Sequence, residues 1–231
     1  MSPDAIMTFL VEAASWALPV LIAITFHEAA HAYAAHILGD DTAKRLGRVS
    51  FNPLRHVDLF GTILLPALLL ITRAPFLFGW AKPVPVMVAR LKNPRRDMML
   101  VALAGPAANL ILALLSALLM NLAWLLPEGA DLWSTQMLYR SILINLVLAI
   151  FNMLPIPPLD GGRVATGLLP INLARSFARL ERCGLLIVIG LFLVLPFLGR
   201  EAGLEVNPFH WLIAVPLGWL MPAFLALANI G

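Results

Sequence analysis

Long apolar runs separated by short charged connectors constrain this chain more than any other feature. They lie at about 5–38, 59–72, 98–126, 135–155, 184–198 and 209–230. A helix crossing the bilayer core needs about 20 apolar residues, because every backbone polar group must be satisfied within it. The 231 residues leave room for five or six such spans and little else. Charged residues make up 13% of the sequence, against about a quarter in soluble globular chains. The expected fold is therefore an all-α polytopic membrane protein, one membrane-embedded domain covering 1–231. The first run lacks a basic leader and a small-residue cleavage site, so it reads as a retained span. A single cysteine, Cys183, excludes an internal disulfide and a cysteine-based metal cluster.

Charge is distributed unevenly between the connectors. Residues 39–57 carry Lys44, Arg45, Arg48 and Arg55; 81–96 carry Lys82, Arg90, Lys92, Arg95 and Arg96; 156–182 carry Arg163, Arg175, Arg179 and Arg182. The N-terminal tail, 127–134 and 199–208 offer only Arg200 against five acidic residues. Lysine and arginine gather on the cytoplasmic side of a membrane. The basic charge is thus read as topological, and no nucleic-acid partner is expected. This predicts a multi-pass protein of the cell (inner) membrane with its N-terminus outside and its C-terminus cytoplasmic. Five crossings are expected, with six as the alternative. Both flanks of 59–72 are basic, and Pro66 interrupts it. Residues 59–80 therefore read as a re-entrant or half-inserted hairpin, with 80–90 as a short β element at the membrane surface. Residues 172–182 place Leu173, Phe177 and Leu180 on one face and Arg175, Arg179 and Arg182 on another. This suits an interfacial helix or an ordinary amphipathic connector.

The chemistry concentrates at His27-Glu28-Ala29-Ala30-His31. Residues four apart share a helix face, so both imidazoles can reach one metal ion, and Glu28 can act as general base toward an attacking water. Ionisable side chains inside an otherwise apolar helix are costly and mark function. A catalytic zinc site typically takes a third protein ligand. His36 is turned off the shared face, and His56 and His210 lie near membrane boundaries. The best carboxylate is Asp160, which follows the proline-rich 155–158 and precedes Gly161 and Gly162. On spacing alone it is equally a ligand or the N-cap of the next helix.

Taken in order, HEAAH at 27–31, GPAAN at 105–109 and FNMLPIPPLDGG at 151–162 resemble the site-2 protease family of intramembrane zinc metalloproteases. NPLRHVD at 52–58 and GWAKPVPV at 79–86 are similar to its compact prokaryotic members, without PDZ or nucleotide-sensing domains. The resemblance implies one zinc ion held by His27, His31 and Asp160, with Glu28 as catalytic glutamate. It also implies that Asn109 and Asn152 help hold an extended substrate strand; interhelical hydrogen bonding is the other use of such amides. The implied substrate is a membrane protein with a transmembrane segment, selected by the membrane part, an adaptor or a homo-oligomer. Among rivals, an intramembrane metal transporter would show acidic or histidine residues on several spans. A catalytically silent scaffold would lack one of the four site residues. A peptidase acting on lipidated C-termini would ordinarily use a glutamate as third ligand.

Overall fold

In the computed structural model, residues 3–64, 68, 81–127 and 129–228 are described. They form helices α1 (Pro3–Ile37), α2 (Pro94–Met120), α3 (Ala130–Asn152), α4 (Asp160–Leu168), α5 (Ile171–Glu201) and α6 (His210–Leu227), with single turns in the connectors. Helices α2, α3, α5 and α6 are each long and apolar enough to cross a membrane. Local chemistry explains the boundaries. Pro94 opens α2 where its missing N–H would be unpaired anyway, and Asp97 accepts the N–H of Asn93 at 2.7 Å. Helix α5 is not uniform: it tightens to a 3-10 turn over Arg179–Cys183 and widens to a π-turn over Gly190–Val194.

Small side chains fill the interior. Ala23, Ala29, Ala32, Ala35, Ala102, Ala113 and Ala117 are fully buried, which lets the helix backbones approach closely. Leu110, Ile111, Leu114, Leu115, Leu118 and Leu119 point outward from α2 and are exposed. An apolar rim around a small-residue, partly polar interior is the packing expected in lipid.

Contacts fix the directions. His31 meets Val101, and His27 meets Asn109, so α1 and α2 are antiparallel. Ser116 meets Ser141, and Asn109 meets Asn145, so α2 and α3 are antiparallel too. The connectors 38–60, 81–93 and 153–170 thus share one loop-rich end. The 121–127 segment after α2 lies at the distal end, where Trp133 Nε1 donates to Val11 O. Helix α6 places Met221 against Ile142 and Leu146, and its Leu227 carbonyl accepts from Asn121 Nδ2 at 2.9 Å. It therefore runs from the loop-rich end to the distal end.

One expectation changes here. The short β element is not formed: among the described residues there is no strand, and Val88–Arg90 is a 3-10 turn. Side chains and loop carbonyls, rather than a neighbouring strand, take up the backbone groups of 81–87. Lys82 N donates to His56 O, Val84 N to Glu28 and Met87 N to Asp40. Of the re-entrant hairpin, Leu59–Leu64 is a π-turn, and most of 65–80 lies outside the described residues.

The start of α1 and the end of α6 lie together at the distal end. Two contacts place α5. Gly184 sits against Pro157 and Pro158, and Phe192 packs on Phe151 at the last turn of α3, with ring centroids 5.8 Å apart. The nine residues left in α5 after Phe192 advance about 14 Å at 1.5 Å per residue, well short of the length of α3. The 202–209 connector then returns to His210 at the loop-rich end.

In a Cys183→Ala background, cysteines at Trp124 and Leu227 should react with a membrane-impermeant thiol reagent from the same side, and one at Met87 from the other. Labelling of Leu227→Cys together with Met87→Cys would show that α5 traverses the bundle.

Candidate metal centre

Three elements bring the centre together. Helix α1 supplies His27, Glu28 and His31; α2 supplies Gly105, Asn109 and the Val101 carbonyl; α4 begins with Asp160. His27 Nε2 lies 3.0 Å from His31 Nε2, and each is 3.2 Å from Asp160 Oδ2. All three residues are buried, at 8%, 7% and 6% exposure.

The outer nitrogens decide what this triangle is. His31 Nδ1 lies 2.7 Å from the Val101 carbonyl, which only accepts, so Nδ1 carries the proton. Asn109 Nδ2 donates to Ala23 O at 3.2 Å and to Asn145 Oδ1 at 2.8 Å, which fixes its Oδ1 as the atom 2.6 Å from His27 Nδ1. Asn145 Nδ2 in turn donates to Ser141 O, so the chain of amides is anchored by backbone carbonyls at both ends. His27 Nδ1 is therefore a donor as well. In the neutral rings both Nε2 atoms are bare lone pairs aimed at a carboxylate oxygen that has no hydrogen-bond partner. Three convergent acceptors with no proton between them repel one another unless a cation lies there. Ligand atoms at about 2.0–2.1 Å in a tetrahedron stand about 3.3 Å apart, which the observed edges approach. His27, His31 and Asp160 thus form a group that could hold a metal ion.

Glycine makes the convergence feasible. A Cβ on Gly105 would come within 2.4 Å of His31 Nε2 and 2.7 Å of His27 Cε1. A Cβ on Gly161 would come within 2.2 Å of the Met153 carbonyl, so the glycines after Asp160 let α4 fold back on the end of α3. The N-cap position of α4 is Leu159, and the Asp160 carboxylate makes no capping bond.

Glu28 is half-buried, and its Oε2 accepts the Val84 N–H at 2.9 Å. Asp40, fully buried, holds the same segment further along. It accepts from Met87 N at 2.6 Å and from the backbone and hydroxyl of Thr42. Burial pushes the Asp40 carboxyl up, but the Thr42 and Met87 hydrogen bonds and nearby Arg90 outweigh it and hold it below the ordinary aspartate range. The tether is therefore charged at neutral pH and is lost only as pH falls through that lowered value.

Other candidates lie elsewhere. Asn109 is fully buried, and its amide is taken up by His27, Ala23 and Asn145. Asn152 is half-buried and donates back to Leu148 O on its own helix. His36 pairs with Asp41, and His56 donates to Ser50 O. Asp40, Asn145, the Val101 carbonyl and the Val84 N–H were not singled out by sequence reasoning. Only Asp40 left a signal, as an acidic residue directly after the Gly39 turn that ends α1.

Comparison with known proteins agrees with this geometry. The profile of peptidase family M50 matches residues 15–128 and 128–196. YwhC of Bacillus subtilis, whose name marks it as a candidate zinc metalloprotease, is 40% identical over 82% of this chain and 82% of its own length. Rip2 of Mycolicibacterium smegmatis, named in the same way, is 32% identical over 83% of this chain and 70% of its own. Rip2 of Mycobacterium tuberculosis (strain H37Rv) is 30% identical over 80% and 67%. No solved structure matches the chain. With a lone-pair triangle on a bundle of apolar helices and a profile match over most of its length, the chain belongs to peptidase family M50, the site-2 proteases, and is an intramembrane zinc metalloprotease.

Proposed function

We propose that His27, His31 and Asp160 hold a single zinc ion and that Glu28 is the general base of peptide-bond hydrolysis in or near transmembrane segments of membrane-protein substrates. The observation that carries this is the meeting of two bare Nε2 atoms and an unpartnered carboxylate oxygen within 3.2 Å. Zinc supplies Lewis-acid activation of water and of the scissile carbonyl. Glu28 accepts the proton of the attacking water at its carboxylate and delivers it to the departing amine nitrogen. The Val84 N–H bond steers that carboxylate, and Asp40 holds the 84–87 segment that provides it. His27 lies ten residues from the end of α1, about 15 Å along its axis, so the chemistry sits at depth near the loop-rich end. A substrate helix must unwind there to expose its carbonyls, and in this reading Asn152, at the end of α3, exchanges its bond to the Leu148 carbonyl for one to unwound backbone.

In this reading α1 crosses together with α2, α3 and α6, while α5 enters the bilayer without traversing it. The basic connectors put the loop-rich end in the cytoplasm and the start of α1 outside. Substrate selection falls to the membrane part, an adaptor or a second copy.

Glu28→Gln should keep zinc and fold yet lower cleavage of a model transmembrane substrate by at least about a hundredfold, the usual contribution of a general base. Turnover near wild type would remove Glu28 from the mechanism. Asp160→Asn should insert and fold normally, because Leu159 occupies the cap position, but lose most of its zinc by metal analysis and cleave little or nothing. Full zinc content in that variant would place the third ligand elsewhere. Asn109→Ala should weaken zinc binding about 10- to 100-fold, as loss of an imidazole-orienting partner does. A raised KM with unchanged zinc affinity would instead mean that Asn109 binds substrate.

A further inference from the structure

A groove of about 560 Å³ opens at the loop-rich end, between the 84–88 segment, the start of α2, α4 and the first turns of α5. Clefts of this size bury ligands. Val84, Val86 and Ala174 give it apolar walls, and Arg95, Arg163 and Arg175 stand along it, with Glu181 as its one acidic residue. Arg163 pairs with Glu181 at 3.2 Å, and Arg95 donates to the Leu169 carbonyl. Each guanidinium has five N–H donors, so both retain donors for another acceptor, and Arg175 is exposed. Three cations against one anion leave the groove suited to carboxylates.

Two of its walls lead straight to the site. Val84 lines the groove and bonds Glu28 through its N–H. Arg163 lies one helical turn after Asp160 on α4. We infer that the groove receives the flank of the substrate that leaves the membrane at the loop-rich end, a short peptide segment carrying acidic side chains among apolar ones. The inference rests on the protease reading above. A peptide fits this position better than a lipid headgroup, because Val84 and Arg163 tie the walls of the groove to Glu28 and Asp160, where the peptide would be cut. Arg163 and Arg175 then act as specificity residues, selecting substrates by the charge of that flank.

The test uses the full-length, zinc-loaded Glu28→Gln protein in detergent micelles with a fluorescent synthetic transmembrane segment whose flank carries two Glu, two Gln or two Lys. Anisotropy should show the Glu flank binding roughly fivefold tighter than the Gln flank, the upper range for a solvent-accessible ion pair, with Lys weakest. Adding Arg163→Gln and Arg175→Gln, which leaves Arg95 balanced by Glu181, should bring the Glu and Gln flanks to equal affinity, with zinc content and thermal melting unchanged. Equal binding of Glu and Gln flanks before those substitutions, or a preference that survives them, overturns the inference. So does a uniform loss for all three segments seen only when anionic phospholipid is added to the micelles, which would assign the groove to lipid. Cleavage is read separately: an unmutated protein that cuts none of the three segments sinks the protease reading, whatever the binding series shows.

Discussion

Two imidazoles four residues apart can share a cation only if nothing else occupies the space in front of them, and here α2 runs directly past that space. Gly105 is what admits both rings, since even one methyl group there would overlap His31 Nε2. The rest of the bundle is registered on this close approach. His27 reaches Asn109 one turn beyond Gly105, and His31 reaches Val101 one turn before it, so the outer nitrogens of the site lock α1 to α2. Asn109 continues to Asn145 and Asn145 to Ser141, which carries the same register into α3. In lipid each such interhelical bond contributes about 0.6 kcal/mol, and linked bonds reinforce one another. The network specifies alignment more than it supplies stability.

The same geometry couples metal to structure. Without a cation, two lone pairs and a carboxylate are held within 3.2 Å, an arrangement that gains only when positive charge enters. The protein holds it through the Val101 carbonyl behind His31, the Asn109 amide behind His27, and glycines that press α4 onto the end of α3. Glu28 stands apart from this cage, tied to the 84–87 segment. The groups proposed to bind metal and to move the proton thus rest on different supports. One is the rigid helical interior, and the other is a loop at the mouth of the proposed substrate groove.

Helix α5 shows what counting apolar runs leaves open. Its sequence satisfies the length and hydropathy criteria for a crossing, and the contacts of Gly184 and Phe192 fix its first half beside the end of α3. A hydropathy pattern records that a segment prefers lipid, and says nothing about whether it runs along the bundle or beside its end. The weak charge bias of 199–208, one basic residue against two acidic, could not decide that question.

The all-helical class, the membrane setting and the residues His27, Glu28, His31 and Asp160 were legible in the sequence because each rests on local periodicity or on ionisable groups placed where lipid penalises them. Asp160 was legible only as a choice between ligand and cap, since both uses suit an acidic residue at a helix start. Tertiary structure brings it into the cluster by folding α4 against α3 and pointing the carboxylate at two rings from α1, 129 and 133 residues away in the chain. It also made Asn109 a support for His27, and it revealed Asp40 and the Val84 N–H as the hold on the 84–87 loop. These assignments depend on which groups meet across separate helices. Such meetings are fixed by close packing at glycine and alanine, and no periodicity within a single segment encodes them.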